Sequence, residues 1–113
     1  MTTTEWEALP DTVTTFMTAV DAREVDKVLA TLTADAVVTD EGHDHKGHEE
    51  IGNWVADAAS EFTYTTEITG ATTTDAGYDV AQHLEGDFPG GVADLHYRFT
   101  LDGALITRVV IEP

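Results

Sequence analysis

An α+β layer fold, with a curved sheet wrapped against helices, is what the patterning of this chain predicts. Apolar residues recur with a helical period as far as residue 61, and from there to the end of the chain they alternate. With 113 residues, 42% of them hydrophobic, the chain forms one domain, residues 1–113. A domain of this size buries about two-thirds of the surface its unfolded form exposes, so it needs no staples.

Leu9, Val13, Phe16, Met17 and Val20 fall on one face of a first helix. Its start lies between Thr4, which opens a capping-box pattern with Glu7, and Asp11, which follows Pro10. A second helix is expected from Glu24 to Thr33 on the stripe Val25, Val28, Leu29 and Leu32. The β-branched run Ala36 to Asp40 predicts a strand, and Glu41 to Gly47 reads as a polar loop. A third helix, His48 to Glu61, carries Ile51, Trp54, Val55 and Ala58. Alternation then predicts four antiparallel strands, built on Phe62, Tyr64 and Ile68; Tyr78, Val80 and Leu84; Leu95, Tyr97, Phe99 and Leu101; and Leu105, Val109 and Ile111. Asp102-Gly103 is a favourable hairpin turn between the last two.

Five basic residues against 22 acidic ones give a formal charge of −17. Such a charge repels phosphate backbones and anionic lipid surfaces, so neither nucleic acid nor a membrane is expected as a partner. Without cysteine there is no disulfide, thiolate metal site or cysteine nucleophile. The N-terminus lacks the basic and apolar segments of a secretion signal, and a cytoplasmic location is expected. No cofactor is expected: Pro89-Gly90-Gly91 lies between strands and does not open a helix, and Ser60, the only serine, has no triad partners in view.

The order of elements resembles the nuclear transport factor two superfamily, in particular its SnoaL-like and ketosteroid-isomerase-like members. The residues that carry the resemblance are the helix around Phe16, then Asp21-Ala22-Arg23-Glu24-Val25-Asp26, Leu32 to Val38, Gly47-His48-Glu49-Glu50-Ile51 and Leu95-His96-Tyr97-Arg98-Phe99. What it implies is a cone-shaped α+β barrel with three N-terminal helices on a strongly curved, mostly antiparallel sheet, an internal cavity and often a dimer. Its members include isomerases, cyclases, hydratases and proteins that only bind, so activity must be argued from individual positions.

In the ketosteroid-isomerase-like members a carboxylate ending the first strand is the proton-transfer base, and Asp40 occupies that place. A carboxylate against an apolar cavity becomes a better proton acceptor near neutrality. In the isomerase, a tyrosine and a protonated aspartic acid supply the hydrogen-bond donors. The matching positions are Phe16 and Leu95, which cannot donate, so steroid isomerisation by that route is not expected. Leu95 also stands where cyclases often place a carboxylate. Gln82, Tyr97 and Tyr64 are the replacement donors that strand parity offers. Phe16, Val20, Trp54, Tyr64, Tyr78, Gln82, Leu95 and Tyr97 are the expected cavity lining.

His43, His45 and His48 invite a metal reading, but the string matches no established zinc spacing and His43 and His45 are expected to point apart. The expectation is no metal, with His43 at the cavity mouth pairing with Asp40. His83 and His96, with Asp94 and Arg98, are placed on the opposite face of the sheet, at the surface or in a dimer interface. Three functions remain open: an acid–base enzyme acting on a small hydrophobic molecule through Asp40 and His43, a module that binds such a molecule unchanged, and a homodimeric protein-interaction domain with a filled cavity.

Overall fold

The computed structural model describes residues 2–3, 8–40, 42–61, 64–75, 77–87 and 90–113, leaving aside the side chains of 2–3, 57–61 and 64. The elements run β1 (Thr2–Thr3), α1 (Asp11–Ala22), α2 (Val25–Ala30), β2 (Leu32–Asp40), β3 (His43–Lys46), α3 (Gly47–Glu61), β4 (Tyr64–Thr73), β5 (Gly77–Gly86), β6 (Val92–Asp102) and β7 (Leu105–Glu112). They build one sheet in the order β1-β4-β5-β6-β7-β2-β3. The four long strands of the second half pair antiparallel as expected. β2 joins β7 in parallel, which makes the sheet mixed.

Pro10 precedes the first helical residue, so α1 begins at Asp11, the late limit of the expected start. The Thr4 to Glu7 capping box lies outside the described residues, as does Phe62. Val13, Phe16, Met17 and Ala19 bury one face of α1. Its C-terminus is closed by Arg23 in the left-handed conformation (φ 61°), with Glu24 N–H reaching back to the Ala19 carbonyl at 2.9 Å.

Two expectations fail at element boundaries. α2 stops at Ala30 and β2 starts at Leu32, because the Thr31 carbonyl accepts the Ile106 N–H at 2.8 Å and Leu32 pairs with Ile106. Leu32 is buried as the strand's first residue rather than the helix's last, and an apolar stripe cannot tell these apart. The polar stretch read as a loop contains β3: Val37 to Asp40 pair with Lys46 to His43 in a tight antiparallel hairpin. Backbone pairing at an exposed edge needs no apolar side chain, so alternation was silent there. Gly47, at φ 77°, turns β3 directly into α3, and Glu50 accepts the Lys46 backbone N–H at 3.1 Å.

Helices and the inner sheet face enclose a core of Val13, Phe16, Met17, Val38, Ile51, Val55, Val80, Phe99 and Val109, among others. Phe16 and Phe99 meet edge to face, ring centroids 5.4 Å apart.

Candidate functional site

Cross-strand register decides which side chains share the inner face, because directly paired residues project to the same side. Ala71, Val80, Tyr97, Ile111, Asp40 and His43 form one inner row across six strands. The row beside it holds Ile68, Gln82 and Leu95. Asp40 and Gln82 therefore stand at the same end of the sheet, three strands apart.

Asp40 is half-buried, and its Oδ2 accepts the indole N–H of Trp54 at 3.1 Å. The Trp54 ring is itself stacked on His45, centroids 5.8 Å apart at an interplanar angle of 30°. His43 and His45 do not point apart: residues two apart in a strand share a face, and β3 is a strand. His43 is exposed at the sheet edge across from Asp40. His48 belongs to α3, where its Nε2 donates to the carbonyls of Thr33 at 3.1 Å and Leu32 at 3.3 Å. Asp44 lies on the other face, where the Thr39 hydroxyl donates to it at 2.6 Å and holds its carboxyl below the usual range. His45 and His48 thus serve separate contacts, and Asp40 and Asp44 lie on opposite faces of the sheet. Among the described residues no three His, Asp or Glu side chains gather closely enough to hold a metal ion.

An open cleft of about 420 Å³ lies where the C-terminal half of α1 meets β4 and β5. Met17, Thr18, Asp21, Ala22, Thr66, Ile68 and Gln82 line it. Gln82 is 2% exposed, its Nε2 donates to Asp21 Oδ2 at 3.4 Å, and its Oε1 has no partner among the described residues. The same Asp21 oxygen accepts the Thr66 hydroxyl at 2.8 Å. Partial burial pushes the Asp21 carboxyl up from its ordinary value, and the two hydrogen bonds work against that rise.

Of the expected lining residues whose side chains are described, only Gln82 borders this cleft. Phe16 and Tyr97 are buried in the core, and Val20, Trp54, Tyr78 and Leu95 are half-buried against it. The Tyr64 side chain lies outside the described residues. Asp21 was missed although the pattern carried a signal: it continues Val13 and Met17 at i+8, a carboxylate on an otherwise apolar helical stripe. On the outer face His83 pairs with Asp94 at 2.6 Å, and His96 and Arg98 both engage Asp79. No helix among the described residues is long and apolar enough to cross a membrane.

The model of the SnoaL-like domain matches residues 13–109. A candidate polyketide cyclase from Sinorhizobium meliloti superposes with a TM-score of 0.88 at 31% identity, over 96% of this chain and 100% of that one. A protein of ketosteroid-isomerase-like fold from Catenulispora acidiphila, in complex with trimethylamine, gives a TM-score of 0.80 at 19% identity over 93% and 86%. A Mycobacterium tuberculosis protein in complex with estradiol-17β-hemisuccinate gives 0.72 at 16% identity over 90% of each chain. No curated protein matches by sequence. The family match over most of the chain and the cone-shaped mixed sheet with its three helices agree, and the chain belongs to the SnoaL-like domain family of the nuclear transport factor two fold.

Proposed function

We propose that this SnoaL-like protein binds a small, largely apolar molecule at the end of the cone where the α1 cleft opens, and that Asp40 moves a proton on it. The observation that carries the reading is the cleft, with Met17, Ala22 and Ile68 as its apolar part and a polar wall confined to Thr18, Asp21, Thr66 and Gln82. A few polar groups orienting an apolar body are the usual composition of a small-molecule site. The steroid ester held by the mycobacterial protein is a molecule of this class.

Proton transfer is supported by the setting of Asp40. One carboxylate oxygen is engaged by the Trp54 indole, which orients the group and leaves the other oxygen for a proton next to a substrate carbonyl. His43, across the β2–β3 hairpin, serves as the proton-exchanging neighbour at the mouth. Val20, Tyr78, Leu95 and Tyr97, packed in or against the core, are the residues proposed to meet the ligand inward of the cleft, with Phe16 behind them.

Asp40→Asn separates chemistry from binding. With a panel of hydrophobic ketones, ligand-induced change in tryptophan fluorescence is expected to survive the substitution. Deuterium uptake from solvent at the carbon beside the carbonyl is expected to fall by about 100-fold or more. Uptake that persists in Asp40→Asn removes Asp40 from the reaction, and binding with no uptake in the unsubstituted protein leaves a binding module. That second reading is favoured by Phe16 and Leu95, which leave the family's two donor positions without a donor. We also propose a homodimer through the outer sheet face, where His83, His96 and Arg98 lie paired with acids. Light scattering is expected to give twice the chain mass of 12.2 kDa, and a monomer at every concentration overturns it.

A further inference from the structure

The donors of the cleft wall turn toward the protein: both threonine hydroxyls and one N–H of the Gln82 amide are engaged there. The Thr18 hydroxyl donates to the Thr14 carbonyl at 2.9 Å, the Thr66 hydroxyl to Asp21, and the Gln82 amide to Asp21. The acceptors on offer to a ligand are the Asp21 carboxylate, which is exposed, and behind it the Gln82 carbonyl oxygen, which is buried with no donor among the described residues. A buried acceptor without a donor is costly, so a ligand that supplies one gains more there than at a hydrated group.

Charge points the same way. None of the lining residues is Lys, Arg or His, and Asp21 is the only titratable group among them. The chain as a whole, at −17, draws cations toward it. The amide orientation follows from the same electrostatics: with Asp21 ionised, Gln82 turns its NH2 to the carboxylate and its oxygen away.

We propose that this cleft binds a small organic ammonium ion, its N–H groups directed to the Asp21 carboxylate and the Gln82 carbonyl and its apolar substituent laid on Met17, Ala22 and Ile68. The proposal rests on the reading of the cleft as a small-molecule site and narrows the ligand class. It is independent of proton transfer at Asp40. A neutral alcohol of the same shape fills the apolar part but brings no charge, and a carboxylate is repelled.

The test uses the whole chain and three probes of one shape: cyclohexylammonium, cyclohexanol and cyclohexanecarboxylate, followed by amide chemical shifts. Cyclohexylammonium is expected to move the resonances of Asp21, Thr66 and the Gln82 side chain and to bind about tenfold or more tightly than cyclohexanol. Asp21→Asn is expected to erase that preference while leaving cyclohexanol binding unchanged. Gln82→Leu, which puts an apolar group of similar size at a buried position, is expected to weaken the ammonium several-fold in a protein that stays folded. Asp94→Asn, an equal loss of charge on the outer face, is expected to have no effect. Equal affinity for cyclohexylammonium and cyclohexanol at the cleft overturns the ammonium proposal and leaves the small-molecule reading standing. Cleft resonances that no probe moves overturn both. Ammonium binding lost as much in Asp94→Asn as in Asp21→Asn reduces it to attraction by an acidic surface, and overturns it too.

Discussion

His83 and Asp94 face each other on the outer side of the sheet, Nδ1 to Oδ1 at 2.6 Å, with Glu85 and Glu67 adding to the negative field. The Asp94 hydrogen bond is the main reason that the imidazole holds its proton above the ordinary histidine range. Because the folded form binds the proton more tightly, the pair stabilises the fold fully below the unfolded histidine pKa and ceases to do so as pH rises through the folded one. An NMR titration of the ring is expected to give a midpoint above 6.5, and Asp94→Asn to bring it back toward that value. A midpoint at or below 6.5 in the unsubstituted protein would show that the pair does not form in solution. Placement of His83 and His96 on this face was legible because strand parity alone sets it. The partner of Asp40 was not legible: nothing local joins residue 40 to residue 54, and only the packing of α3 on β2 and β3 brings the indole to the carboxylate.

Among the elements, the best evidence for strict backbone packing is at the start of β5. Gly77 pairs with Thr100, and a Cβ at this position would overlap the Phe99 carbonyl oxygen, a backbone atom with no freedom to swing aside. Gly77→Ala is expected to destabilise the protein by about 1–3 kcal/mol, measured by urea unfolding. An unchanged midpoint would mean that the β5–β6 ladder is looser there than its register. The need for glycine here comes from the close approach of the neighbouring strand, which no local spacing reveals. At the β6–β7 hairpin the turn residues are Gly103 and Ala104, since Asp102 pairs with Leu105, and Gly103 supplies the positive φ of 62°. The expected turn was thus one residue early. Helix α1 and the four long strands were readable because each buries one periodic face. β3 and the end of α2 were not, because one is a polar edge and the other a boundary where both neighbours bury the same leucine.

For the whole molecule, the balance to settle is between a filled core and an open cone. Phe16 is fully buried and in edge contact with Phe99. Phe16→Ala is expected to cost about 3–5 kcal/mol, the usual loss for emptying a packed aromatic site, with an unchanged dependence on urea. A loss below about 1 kcal/mol would mean that the ring borders open space rather than core, since a side chain without packed neighbours leaves little to lose. The sequence by itself determined the fold class, the three helices, the antiparallel run and the partition of side chains between inner and outer faces. These follow from periodicity, which is a local property of the chain. Only the tertiary structure decided the parallel joining of β2 to β7, the indole on Asp40 and the meeting of Asp21, Thr66 and Gln82. Those depend on residues as far apart as 21 and 82 being brought together by the crossing of a helix over a curved sheet, which no spacing along the chain encodes.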